Sequence, residues 1–145
     1  MVKNSEIIDQ LNQISKNTLI ETLGIKFISF TEDSLIAELE VCSKVLQPMN
    51  FLHGGTSLAL AETIGSCLSM TTTNLDENYV FGSEVNGYHL KPVKEGKIIA
   101  IATFIHKGRS TQVIEINIFN EIEGKKFKNC FVTMINRIVK KDRIK

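Results

Sequence analysis

Between Val45 and Leu75 the chain carries a single permanently ionisable side chain, Glu62. It sits among Leu60, Ala61, Thr63 and Ile64, with no Lys or Arg three or four residues away to pair with it. Burying an unpaired carboxylate costs several kcal/mol in order of magnitude. The plain reading is a side chain that protrudes to solvent or meets a distant Arg. The chemical one is a carboxylate held as general base or nucleophile. Helical spacing puts Ser66 one turn further on the same face, with Leu58 and Gly55 at i−4 and i−7. Gln47, His53, Gly54 and Gly55 come together at the start of the same predicted helix. A helix N-terminus offers unpaired N–H groups and partial positive charge to a developing oxyanion, and glycines let a ligand approach the backbone. Donor cluster, carboxylate and polar helper together describe an acyl-transfer site.

The elements that must position these groups are visible in the pattern. Apolar residues at helical spacing predict one helix over Ser5–Thr22, with Ser5 as N-cap and Gly24 as its stop. The run Gly24–Phe30 then reads as a short strand, and Ser34–Val41 alternates cleanly as a second across the turn Thr31-Glu32-Asp33. Ser43–His53 reads as a loop, and Thr56–Thr73 as a helix of roughly five turns. Four strands follow, over Tyr79–Lys91, Lys97–Ile105, Thr111–Phe119 and Phe127–Val139. Consecutive strands with short turns predict an antiparallel sheet in an α+β fold. The second helix has no polar face, which predicts burial on all sides, inside a curved sheet wrapped around it and under a partner subunit.

Composition narrows the class. The 145 residues fit one domain, spanning 1–145 with residues 1–24 as an N-terminal helical segment. Seventeen basic and 16 acidic side chains leave a formal charge of +1, so nothing draws the chain to nucleic acid or to an anionic membrane. Cys42, Cys67 and Cys130 are scattered and form no CxxC pair, which argues against a disulfide framework, and no Cys/His cluster supplies metal ligands. The N-terminus lacks an apolar signal region, and a cytoplasmic location is expected.

The run from Gln47-Pro48 through His53-Gly54-Gly55 to Ala61-Glu62 and Gly65-Ser66 resembles the active-site segment of hotdog-fold acyl-CoA thioesterases. More narrowly it resembles the phenylacetate-type branch that includes the 1,4-dihydroxy-2-naphthoyl-CoA thioesterases of menaquinone synthesis. The likeness extends to Gly82–Asn86, to His89-Leu90-Lys91-Pro92-Val93 and to His106-Lys107-Gly108-Arg109. It implies a hotdog fold, a curved antiparallel sheet around a central helix. It also implies hydrolysis of an acyl-CoA thioester, with an aromatic acyl group of naphthoyl or phenylacetyl type preferred.

The resemblance assigns roles residue by residue. Glu62 would attack or activate water, Gly54 or Gly55 N–H would polarise the carbonyl, and His53 would help hold it. Gln47 would orient the water or the leaving thiol, with Ser66 tuning Glu62. Gly82, His89–Pro92 and His106–Thr111, including Ser110 and Thr111, would line the pantetheine and nucleotide path. Leu90 stands where a polar residue is frequent, and Lys91 where an arginine is. A local cluster of Lys91, His106, Lys107 and Arg109 would suit the phosphates of coenzyme A. No cofactor is implied beyond the coenzyme A of the substrate, and a homodimer or dimer of dimers is expected, as a homotetramer in related enzymes. The competing readings are a hotdog hydratase or dehydratase, whose His-Phe-Pro-Gly type of loop is absent here, and a non-catalytic acyl-CoA-binding protein.

Overall fold

The computed structural model describes residues 4–144. The N-terminal amphipathic run forms two helices, α1 (Asn4–Ile14) and α2 (Leu19–Leu23), where one is predicted. The break has local causes. Ser15 Oγ donates to Leu11 O at 2.7 Å, Asn17 turns left-handed at φ 60°, and the Thr18 hydroxyl caps α2 by accepting from Ile20 N–H. Short polar side chains of this kind offer the backbone a rival to the continuing helix. Gly24 then ends α2 at φ 76°, as expected.

Six strands follow the predicted order around a third helix. They are β1 (Lys26–Phe30), β2 (Ser34–Glu40), β3 (Asn78–His89), β4 (Lys97–Lys107), β5 (Thr111–Ile122) and β6 (Lys125–Lys140). All pairings are antiparallel, in the spatial order β1-β2-β4-β5-β6-β3. The strands overrun the apolar stretches that betray them, because charges carry the ladder on: Lys126 sits opposite Glu121 and pairs with it at 3.2 Å. Register shifts between Phe27 and Ser29, Gly82 and Glu84, Phe104 and His106, and Ile118 and Phe119 bend the sheet.

The third helix, α3 (Gly54–Met70), packs on β2, β3, β4, β5 and β6. Leu60, Ile64 and Leu68 are fully buried against Leu35, Leu39, Ile98, Ile114, Ile116 and Val132. Each such side chain contributes about 1.5–3 kcal/mol over an exposed one. Gly65 sets the closeness of helix to sheet: a Cβ there would stand 2.0 Å from Met134 Sδ. The result is the α+β architecture expected, a bent antiparallel sheet wrapped around one helix.

Burial on all sides of α3 is not what one chain provides. Gly55, Leu58, Ala59, Glu62, Thr63 and Ser66 form a stripe that the sheet leaves partly or fully open. A helix lying in a bent sheet is covered on the sheet's side, and its far side waits for something else. Cys67 and Cys130 are buried thiols, and burial pushes that of Cys67 up to about 12. Cys42 is exposed. Among the described residues no helix is long and apolar enough to cross a membrane.

Candidate active site

The start of α3 is organised by His53, its N-cap. Nδ1 accepts from Gly55 N–H at 2.8 Å, and the His53 carbonyl accepts from Thr56 N–H at 2.9 Å. An accepting Nδ1 bears no proton, so the neutral ring carries its hydrogen on Nε2, where it is a donor. The sequence offers both glycine N–H groups to an oxyanion, but the cap consumes that of Gly55. The N–H of Gly54 has no acceptor among the described residues and is the donor that remains.

The segment before the cap is pinned on both sides. His53 N–H donates to Val45 O at 2.9 Å, and Leu52 N–H to Val93 O at 2.7 Å. Gln47 N–H donates to Phe51 O at 2.7 Å, and Asn50 turns left-handed at φ 63° to allow the reversal. The Gln47 side chain is tied within this turn, its Oε1 accepting from Met49 N–H.

Beside the helix start lies a cavity of about 430 Å³. Of the predicted site residues it gathers Gln47, Gly54, His89, Leu90, Lys91 and Pro92. His89 comes from the end of β3 and lies directly over Gly54, where a Cβ would stand 3.0 Å from its Nε2. The remaining wall includes Met49, Phe51, Leu52 and Val93, with two polar residues that the sequence reading did not single out, Ser57 and Asn129. Ser57 lies one helical turn beyond Gly54, and Asn129 is a polar residue within the alternating pattern of β6. Those are the signals that could have marked them.

Glu62 lies elsewhere on the helix. It is exposed, on the open stripe of α3, and faces Gly82 of β3, where a Cβ would stand 2.7 Å from Oε1. Ser66 follows it by one turn and is half-buried. Eight residues of helix separate Glu62 from Gly54, about 12 Å at 1.5 Å per residue. A carboxylate attacking a carbonyl and a donor holding that carbonyl must both be within about 3 Å of it. The two features that the sequence placed in one site therefore do not meet on one thioester within a single chain.

The basic turn is at the other end of the molecule. Lys107, Gly108 and Arg109 border a second cavity of about 380 Å³ with Thr72, Asn74 and Gln112, past the C-terminal end of α3. Gly108 N–H donates to Thr111 O at 3.1 Å, Ser110 O accepts from Ile138 N–H at 3.0 Å, and Lys107 Nζ lies 3.8 Å from Asp33. Lys91 N–H instead meets Asn129 O, at the opposite end of β6. Nine residues of strand, roughly 30 Å, run between these two anchoring points. The expected cluster of Lys91 with His106, Lys107 and Arg109 does not form within one chain.

A bent antiparallel sheet around a central helix, with a capped glycine helix start and a carboxylate on its open stripe, defines a hotdog-fold thioesterase. The chain belongs to the thioesterase superfamily, whose family model matches residues 49–126. A Pasteurella multocida relative that bears a provisional esterase name is 45% identical over 116 residues, covering 80% of this chain and 83% of its own. The crystal structure of a mutant thioesterase from Pseudomonas aeruginosa superposes with a TM-score of 0.86 at 36% identity, covering 92% of this chain and 94% of that one. A thioesterase from Haemophilus influenzae matches at a TM-score of 0.84 and 38% identity, over 92% of this chain and 90% of that one.

Proposed function

We propose that this thioesterase hydrolyses an acyl-CoA, with an aromatic acyl group of the naphthoyl or phenylacetyl type preferred, and that Glu62 carries the chemistry. The observation that supports it most is the pairing of a free Gly54 N–H at a capped helix start with a lone carboxylate on the open stripe of the same helix. The Staphylococcus aureus thioesterase has been solved with a glutamine replaced by alanine and, separately, with a glutamate replaced, the two positions fifteen apart. Gln47 and Glu62 have that same separation here. The narrower branch resemblance supports the aromatic preference.

The distance of about 12 Å between Gly54 and Glu62 supports a site shared by two copies. In that arrangement the helix start of one protomer polarises the thioester carbonyl and Glu62 of the other supplies the carboxylate. The His53 Nε2–H gives the carbonyl oxygen a second donor, and Gln47 orients water or thiol. Glu62 either attacks the carbonyl carbon and expels the thiolate, leaving an anhydride that water then hydrolyses to the acid, or takes a proton from a water that attacks the carbonyl, the tetrahedral intermediate then breaking its C–S bond to give the acid and the thiol. The open stripe of α3 is the face that a second copy would cover. Coenzyme A phosphates would meet the Lys107–Thr111 turn of the partner copy, and no metal or further cofactor takes part.

The test is thiol release from a panel of aromatic and aliphatic acyl-CoAs, with light scattering on the same protein. Glu62→Gln should lower kcat roughly 10²–10⁴-fold. The variant should fold as wild type does, since the Glu62 carboxylate makes no ion pair or hydrogen bond among the described residues. His53→Ala should lose less, because Gly54 N–H remains. Near-wild-type turnover by Glu62→Gln, or full activity from a stable monomer, would refute the reading. A single turnover in water carrying labelled oxygen separates the two routes: label incorporated into the enzyme marks direct attack by Glu62.

A further inference from the structure

The inner face of β6 is apolar from Cys130 through Val132 to Met134, and turns polar at Asn136. Asn136 is fully buried, and its Nδ2 donates twice to α3: to Gly65 O at 3.1 Å and to Ser69 Oγ at 2.7 Å. Its Oδ1 is buried without a partner. An unpaired buried amide oxygen costs about 1–3 kcal/mol, as much as two neutral hydrogen bonds of about 1 kcal/mol each return. Stability alone therefore gives no reason for an amide where the alternation asks for an apolar residue, and such breaks in pattern gather where function needs them.

Its place in the fold supplies the reason. On β3 the cross-strand partner of Asn136 is Gly82, the glycine that the Glu62 carboxylate faces. The strand bulges at that point: Gly82 pairs with Asn136 and Glu84 with Ile135, and Ser83 Oγ, on the residue between, donates to Ile135 O at 3.1 Å. Bulges re-aim the chain and recur beside functional sites. On α3 the acceptor Gly65 comes three residues after Glu62, about 4.5 Å of rise. One residue thus joins both walls of the gap at Glu62. Its backbone pairs with the strand of Gly82, and its side chain holds the helix. Glu62 makes no hydrogen bond or ion pair of its own among the described residues, so the seating of α3 on the sheet sets where its carboxylate stands.

We infer that Asn136 is a positioning residue for the hydrolysis: its two bonds to α3 set the height of the helix over Gly82, and with it the point from which Glu62 acts. The inference rests on the reading that Glu62 carries the chemistry.

The experiment measures kcat, KM and Tm for Asn136→Leu, which is close to the amide in size and cannot donate, in the wild-type and the Glu62→Gln backgrounds. The substrate is one acyl-CoA that the wild type hydrolyses. In the wild-type background kcat per folded molecule should fall roughly 10- to 100-fold, the cost of a reacting group misplaced by about 1 Å. KM should stay within about twofold, because the donor at Gly54 is untouched. In the Glu62→Gln background the same substitution should cost nothing further, since no carboxylate is left to misplace. Ser69→Ala removes one of the two acceptors and suits a helix. It should lower kcat by roughly 3- to 10-fold at unchanged KM, and it carries the same pair of tests if the leucine variant does not fold. Asn120, whose buried amide holds Glu95 O and Lys97 O near the far end of β5, is the control. Asn120→Leu should leave kcat per folded molecule unchanged, whatever it does to Tm. An unchanged kcat in both Asn136→Leu and Ser69→Ala, equal losses in the two backgrounds, a rise in KM in place of the fall in kcat, or a matching loss from Asn120→Leu would overturn the assignment. A Glu62→Gln protein that turns over like wild type, or a wild type that hydrolyses no thioester, would instead overturn the reading on which it rests.

Discussion

Gly82→Ala should be a catalytic lesion that leaves the fold intact. The added Cβ would stand 2.7 Å from Glu62 Oε1, whereas ordinary contact begins at 3.4 Å, so the carboxylate must retreat by about 0.7 Å. Its Cγ is already at an ordinary 3.6 Å, so the displacement falls on the end of the side chain. Misplacing a reacting group by about 1 Å costs on the order of 10²-fold, which puts the loss in kcat at roughly 10- to 100-fold. The backbone has no objection. Gly82 is not among the glycines with positive φ, which are Gly24, Gly96 and Gly124. Replacing such a glycine stabilises by about 0.4–1 kcal/mol through the unfolded chain. Tm should therefore hold or rise by a few degrees. Steady-state thiol release and a thermal melt on one preparation give both quantities. A Gly82→Ala protein with wild-type kcat would show that the position of Glu62 beside β3 is irrelevant to turnover. One that melts well below wild type would show that the space above Gly82 is occupied by more than a flexible carboxylate.

Gly65→Ala should do the reverse, since its Cβ would meet buried Met134 at 2.0 Å. Overpacking of about 1–3 kcal/mol outweighs the helix preference for Ala of up to about 1 kcal/mol, so urea midpoints should fall while kcat per folded molecule holds. Under native conditions at about pH 8, close to the ordinary thiol pKa, a thiol reagent should modify Cys42 and leave buried Cys67 and Cys130 intact, with all three reacting in denaturant. Burial keeps the Cys67 thiol protonated up to about 12, whereas an unfolded chain's thiol ionises near about 8.5. Its contribution is therefore whole below about pH 8.5 and is lost above it, by up to about 1.4 kcal/mol per pH unit. Urea titrations from about pH 7 to about pH 10 should show that slope in wild type and a shallower one in Cys67→Ala.

The architecture was readable because period and punctuation agree in this chain. Leu35, Ala37 and Leu39 alternate into the core, and Gly24 stops a helix where the pattern ends. The strand limits were less readable, since cross-strand charges such as Lys126 with Glu121 extend a ladder without any apolar signal. Asn17 broke the first helix through a backbone choice that periodicity does not register. At the site, residue types were a sound guide to which side chains gather at the helix start, and a poor one to distance. A helix presents Gly55 and Glu62 on one face whether they are neighbours or nearly two turns apart. Nor does a linear pattern reveal that His53 spends the Gly55 N–H on its own cap, or that the register of β6 brings Asn129 to the cavity wall. Both depend on where a backbone dihedral or a pairing register falls, and many side chains are compatible with either outcome.

The strand order carries a consequence for how the protein comes into being. β3 is third in the chain but last in the sheet, and its only strand partner among the described residues is β6, through pairs that run from Asn78 with Lys140 to His89 with Cys130. Those contacts close long loops, which must wait for the intervening hairpins. During synthesis, the strand that carries Gly82 and His89 has no place in this sheet to dock until β6 has left the ribosome. Asn129, which bounds the cavity, arrives with that same strand. A growing or truncated chain can thus build its helix and its β4–β5 hairpin while still lacking that wall of the cavity, so hydrolytic competence should arrive in one step with β6.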